Sequence, residues 1–326
     1  MNQKTLDQIL GIEYPIIMAP MFLISNTKMI KAALDNGITA AFPALNYRTD
    51  KELRAAIQDI KSHTDKPFGV NLIVNKSNLK YKGQLDTLVE MGVAFIITSL
   101  GNPKEVIESA HEKGIKVFCD VVDLKYAQKV EAQGADALIA VNSEAGGHAG
   151  KESPQELITL LKDNCNIPII SAGGIALGSD LKQAMEWGAA GASVGTIFIA
   201  CEEADISQEY KQACVDYGAK DVVLTTKMSG SALTVINTPY VQSIGTEATF
   251  WEKLMHNNKS IKKYVKMLIA FKGMRQVEKA AKEATYKTVW CAGPAIEHVS
   301  SILPIAKIIN KLTSEYSDAV KKSALV

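Results

Sequence analysis

The 326-residue chain has no C-x-x-C pair, no apolar run long enough to cross a bilayer, and no surplus of one charge sign. Its five cysteines, Cys119, Cys165, Cys201, Cys214 and Cys291, are scattered and odd in number. That pattern argues for reduced thiols in a reducing compartment and against a zinc site. A spanning helix needs about 20 consecutive apolar residues, and none occurs. The formal net charge is +1, with 36 basic and 35 acidic residues interspersed. Neither a basic stripe for nucleic acid nor a polybasic membrane patch is present. The opening Met1–Leu6 lacks the apolar core of a secretory signal, so a cytoplasmic protein is expected. A P-loop, an H-E-x-x-H pair and the G-x-G-x-x-G dinucleotide fingerprint are all missing. The chemistry is therefore expected from a bound cofactor, with the chain supplying position and one base.

What is present is an alternation. Short apolar runs at 16–19, 38–42, 68–72, 95–99, 116–119, 137–141, 168–171 and 191–195 have the look of buried parallel strands. Helical spacing separates them, near 26–36, 50–61, 84–90, 103–113, 124–133, 154–163 and 179–187, with Asp50 as a plausible N-cap. Several helices run into a glycine and then an apolar strand, as in Met91-Gly92-Val93 and Trp187-Gly188-Ala189. Eight such units in roughly 200 residues fit a closed (β/α)8 TIM barrel of α/β class better than an open doubly wound sheet. The expected barrel takes 1–206 and 288–326. Between them, 207–287 is lysine-rich and without convincing strand runs. It reads as a helical excursion after strand eight that forms a lid, a dimer surface or both. Amphipathic helices are expected in it at 260–272 and 274–284. A last helix over 296–320 is expected to return over the barrel.

In such barrels the working loops follow the C-terminal ends of the strands. The loop Glu144-Ala145-Gly146-Gly147-His148-Ala149-Gly150 puts a histidine among glycines, where no helical or strand period absorbs it. An imidazole can accept a proton near neutral pH. The other histidines, His63, His111, His256 and His298, read as surface or satisfied core residues. Glu144 could orient His148 or merely cap a turn. Gly173-Gly174 lets backbone N–H groups approach an anion closely, and Gly195-Thr196 opens a short helical turn. Together they read as a phosphate site after strands seven and eight. Cys119 and Cys291 lie near rim positions.

These loops resemble the nitronate monooxygenase family, formerly 2-nitropropane dioxygenases. The matching pieces are 15–21 (PIIMAPM), 67–72 (PFGVNL), 144–150 (EAGGHAG), 172–175 (AGGI) and 188–196. The resemblance implies a barrel carrying non-covalent FMN. By that match Ala19, Pro20, Met21 and Asn71 would lie along the isoalloxazine and ribityl chain. Gly146, with Gly147 beside it, would approach the flavin. Gly173, Gly174, Ser193, Val194, Gly195 and Thr196 would hold the phosphate, and His148 would be the catalytic base or a nitronate-binding imidazolium. An alkyl nitronate such as propionate 3-nitronate and O2 are the implied small-molecule partners, with a homodimer possible. Met18, Val141-Asn142, Pro294 and 22–25 (FLIS) depart from the pattern and put the substrate in doubt. The flavin-dependent enoyl-acyl-carrier-protein reductases and NADH:quinone reductases share the histidine loop and are the rival resemblance. A flavin-free, phosphate-binding barrel enzyme is a further alternative.

Overall fold

The computed structural model describes residues 4–75, 78–226, 232–247 and 289–323. A short helix, α1 (Leu6–Leu10), comes first, followed by β1 (Ile16–Met18), α2 (Thr27–Asp35), β2 (Thr39–Pro43) and α3 (Asp50–His63). Next come β3 (Gly69–Ile73), α4 (Tyr81–Met91), β4 (Phe95–Ser99), α5 (Lys104–His111), β5 (Lys116–Val121), α6 (Leu124–Ala132) and β6 (Ala137–Val141). The two-residue β7 (Gly147–His148) is followed by α7 (Pro154–Asn164), β8 (Ile169–Ala172), α8 (Gly178–Trp187) and β9 (Gly191–Val194).

Eight of these strands close a parallel barrel in the order β1-β2-β3-β4-β5-β6-β8-β9, with β9 returning to β1 through Ile17 opposite Ser193. The expected eight βα units and their closure are therefore what the chain forms. The reason lies in the side chains. Each strand buries both faces, as parallel strands covered by helices must. Inward, Ile17, Ala41, Phe95, Ile97, Phe118, Ile139 and Ile170 pack as one cluster, closed from below by Leu6 of α1. Phe95 and Phe118 stack at 5.0 Å. Gly69 makes room for them, since a Cβ there would lie 2.2 Å from the Phe95 ring. Outward, the strands meet Met29, Ile30, Leu53, Ile57, Leu85 and Val106 from the helices. Gly92 and Gly188 end their helices at positive φ, +61° and +118°, as the helix–glycine–strand junctions imply.

Three expectations need correction. The N-cap of α3 is Thr49, not Asp50: its side chain accepts from the Glu52 N–H, and Glu52 reaches back in a capping box. The last helix begins at Ile305, not 296. Residues Pro294–His298 form a separate 3-10 turn, and Pro304 interrupts before Ile305–Ser323 docks on α8. The excursion is not purely helical. Beside α9 (Gln208–Asp216) it contributes β10 (Val222–Thr225) and β11 (Leu233–Ile236), and then α10 (Pro239–Ile244). These two strands form an antiparallel sheet with β7, in the order β10-β11-β7. The helices expected at 260–272 and 274–284 lie outside the described residues.

Candidate active site

At the C-terminal mouth of the barrel the sequence-derived loops converge in two groups on opposite sides. Around the ring β3 and β8 stand four strands apart in either direction, so Asn71 faces the glycine loops across the mouth.

On one side β1 and β9 bring Ala19-Pro20-Met21 against Gly195. The Ala19 N–H donates to the Val194 carbonyl at 2.8 Å. A Cβ on Gly195 would touch Ala19 Cβ at 3.5 Å and Met21 Sδ at 3.7 Å. The bulky 22–25 turn is held from its flanks. Ser25 Oγ accepts from the Met21 N–H at 2.9 Å, and the Leu23 N–H donates to Asn46 Oδ1 at 2.8 Å. Leu23 has φ +58°, a left-handed conformation that leucine adopts only under such constraint. Ser193 lies inside β9 in extended backbone and is buried. Residues 191–195 spell G-x-S-x-G, yet Ser193 stands in a strand and not at the sharp strand-to-helix turn of a nucleophile elbow.

Beside it the loops after β6 and β8 interlock. Gly173 and Gly174 adopt φ +115° and +80°. A Cβ on Gly173 would lie 2.3 Å from Asn142 Oδ1 and 2.5 Å from the Ala145 nitrogen. Asn142 is 1% exposed and spends its amide inside this joint, with Nδ2 donating to the Gly173 carbonyl at 3.1 Å and Oδ1 accepting from the Glu144 N–H at 2.9 Å. It is thus a brace between two loops. Gly146 meets the returning chain: its Cβ would sit 2.9 Å from the Gly293 nitrogen and 3.2 Å from Thr196 Oγ1. The Gly293 N–H donates to Thr196 Oγ1 at 3.0 Å, which leaves the hydroxyl hydrogen of Thr196 to donate elsewhere.

His148 sits where this assembly reaches solvent. It is not in an irregular loop as its glycine neighbours suggest: it is the second residue of β7, paired with Leu233 of β11. Thr234 fixes the same strand, its hydroxyl bonding the carbonyls of Ala145 and Gly147. The ring is accessible from the mouth yet surrounded by enough protein to be partly desolvated, which holds its pKa below the ordinary value of 6.5. Glu144 is half-buried over Gly174. Desolvation first, and Asp180 second, raise its carboxyl pKa above normal. By contrast His63 and His111 pair with Asp35 and Asp136 on the surface. Cys119 turns outward into the core beside Thr98, and Cys291 packs with the small sheet. The Cys119 thiol therefore faces away from the mouth.

On the far side Asn71 is joined to Ser99, which the sequence already places at the end of a strand among the residues suited to a site, and through it to Asp120, which the sequence reading passed over. A signal was available, because Asp120 is an acid inside the apolar run 116–121 (KVFCDV). Thr234 was also missed, and no local pattern points to it.

A profile of the nitronate monooxygenase family matches residues 3–80 and 77–315, nearly the whole chain. The chain belongs to the nitronate monooxygenase family. It is an enzyme, and its relatives in the family are flavoproteins, which sets aside the flavin-free barrel. It is 26% identical to a nitronate monooxygenase of Paraburkholderia phytofirmans, over 98% of this chain and 97% of the relative. It is 29% identical, over 74% of this chain and 68% of the relative, to a Rhodococcus jostii dehydrogenase of a hydroxy-methyl-oxo-octahydroindene carboxyl-CoA. Among solved structures, FabK from Thermotoga maritima superposes with a TM-score of 0.84 at 28% identity, covering 98% of both chains. The residues present fit a flavin of this nitronate monooxygenase family. Gly173 and Gly174 turn at positive φ at the end of β8, Thr196 keeps a donor, and Asn71 Oδ1 makes no hydrogen bond among the described residues. No helix among the described residues is long and apolar enough to cross a membrane.

Proposed function

We propose that the chain oxidises alkyl nitronates, such as propionate 3-nitronate, and their parent nitroalkanes with O2, giving a carbonyl compound and nitrite. FMN would lie across the mouth, its phosphate toward Gly173, Gly174, Ser193, Val194, Gly195 and Thr196, and its ring toward Ala19, Pro20, Met21 and Asn71. The bound flavin supplies the electron acceptance and the reaction with oxygen that no side chain offers.

One observation carries this reading. Gly146 packs against the Gly293 backbone and the Thr196 hydroxyl, and His148 is two residues from Gly146 on a paired strand. A base and a phosphate cradle thus share one braced unit, so a ligand seated in the cradle has its reactive part at a fixed offset from the imidazole. The lowered pKa of His148 keeps the ring neutral at pH 7, which favours a base that takes the α-proton of a nitroalkane over an imidazolium that attracts a nitronate. The rate on a neutral nitroalkane, measured as kcat/KM against pH, is then expected to rise through a midpoint below 6.5 and to level off above it. A midpoint above 6.5 contradicts the assignment.

The reading itself is tested by anaerobic mixing of FMN-loaded protein with propionate 3-nitronate and, separately, with NADH and NADPH. Bleaching by nitronate alone, with nitrite released when air enters, is the expected result. Bleaching by a nicotinamide alone transfers the chain to a second reading, a nicotinamide-dependent reductase or dehydrogenase of thioesters. The likeness to a carboxyl-CoA dehydrogenase favours that reading.

A further inference from the structure

Three side chains on neighbouring strands face the barrel axis and bond in series. Asn71 Nδ2 donates to the Ile97 carbonyl at 3.2 Å and to Ser99 Oγ at 2.7 Å. The Ser99 hydroxyl donates in turn to Asp120 Oδ2. Ile97 and Phe118, two residues before Ser99 and Asp120 on their strands, belong to the inner cluster, so period-two alternation points Ser99 and Asp120 inward as well. Both stand near the C-terminal ends of β4 and β5, at the mouth.

Stability does not explain Asp120. It forms no ion pair among the described residues, and burying a carboxylate without a cation is costly. That desolvation lifts its pKa to about 6 against the opposing bond from Ser99. The titratable groups that feel its charge are Cys119 on its own strand and Tyr126 on α6, each itself pushed up to about 12 mainly by burial. Neither ionises where Asp120 does. From β4 and β6 the residues that flank it in register are Ser99 and Ile139, of which neither is charged.

The arrangement has a direction. A hydroxyl has one hydrogen, and Ser99 gives it to the carboxylate. Its lone pairs are left for Asn71, whose two amide hydrogens both go to β4. Asn71 Oδ1 is then the atom presented to the mouth.

We propose that Asp120 is a positioning residue for the cofactor: its carboxylate orients Ser99, Ser99 orients the Asn71 amide, and Asn71 Oδ1 is offered as the acceptor for the single ring N–H of an oxidised isoalloxazine. This rests on the flavin reading above. Protonating Asp120 exchanges a charged acceptor for a neutral one, so the Ser99 hydrogen and the Asn71 amide are held less firmly.

The test is FMN titration of apoprotein by quenching of flavin fluorescence between pH 8 and pH 5. Wild type, Asp120→Ala, Asp120→Asn, Ser99→Ala and the Asp120→Ala/Ser99→Ala pair are compared. At pH 8 each alanine variant is expected to bind about tenfold more weakly, the loss of one charge-assisted hydrogen-bond step. The pair is expected to be no weaker than either single variant, since one chain of bonds is broken once. Asp120→Asn keeps an acceptor and recovers part of the affinity. As pH falls through about 6 the gap to the alanine variants narrows and the gap to Asp120→Asn closes. The phosphate of FMN and His148 titrate in every protein and cancel from the difference. A gap that is the same at pH 5 and pH 8 marks a structural role and overturns the inference, as does wild-type affinity in the alanine variants. Should Asp120→Ala not fold, Ser99→Ala carries the same comparison. Wild-type apoprotein that takes up no FMN at all overturns the flavin reading together with this one.

Discussion

Replacing His148 by alanine is expected to lower the rate on a neutral nitroalkane by about 10²- to 10⁴-fold, the usual worth of a positioned general base. The rate on pre-formed nitronate and the amount of bound flavin should stay close to wild type. The asymmetry follows from the chemistry. A nitronate has already lost the α-proton, so the step that needs the imidazole is behind it. The side chain is accessible from the mouth, paired to β11 only through its backbone, and no side-chain hydrogen bond of its ring is formed among the described residues. Truncation therefore removes the base without unpairing the strand. Steady-state rates on nitroethane and on its nitronate, with the flavin-to-protein absorbance ratio as a control, decide the matter. A larger loss on the nitronate than on the nitroalkane assigns His148 to anion binding instead.

Gly173→Ala is expected to weaken flavin binding by about 10- to 100-fold. Two costs combine. A non-glycine residue at φ +115° carries about 1–3 kcal/mol of strain, and its Cβ would stand 2.3 Å from Asn142 Oδ1 and 2.5 Å from the Ala145 nitrogen. One of those contacts is backbone, so no side-chain rotation relieves it. The loop after β8 and the loop carrying His148 must separate, and the cradle opens. The barrel strands are not part of this joint, so the thermal transition of the apoprotein should move little. Titration with FMN and a melting curve on the same sample separate the two effects. Unchanged affinity would show that the 173–174 turn does not hold the cofactor.

The fold was legible because parallel strands buried on both faces leave continuous apolar runs, and each of the eight is bounded by a glycine or a cap. Residues 137–141 and 169–172 could hardly be anything else. The small sheet was not legible for the opposite reason. In β10 Val222 and Val223 are half-buried and Leu224 is exposed, so the run has little contrast with its surroundings. The third strand of that sheet, β7, is two residues long, and its His148 lies 85 positions upstream of the Leu233 it faces in β11, so no local pattern announces the pairing. Asn71, His148 and the glycine loops were visible as polar or Cβ-less residues at strand ends. Asp120 was equally polar, but it matched no motif. Its meaning appears only when β3, β4 and β5 stand side by side and Asn71, Ser99 and Asp120 line up across them. Asn142 is the reverse case, a polar rim residue whose side chain serves to hold two loops together.

The pairing of β7 with β11 has a consequence for shuffling this enzyme with its relatives. Leu233 opposes His148 and Thr234 opposes Gly147, so the histidine's depth in the mouth is written partly in a segment the barrel does not contain. A chimera whose crossover falls between 150 and 232 takes the imidazole from one parent and its ruler from another. Such hybrids are the ones to discard first from a recombination library, even when all eight barrel strands come from a single parent.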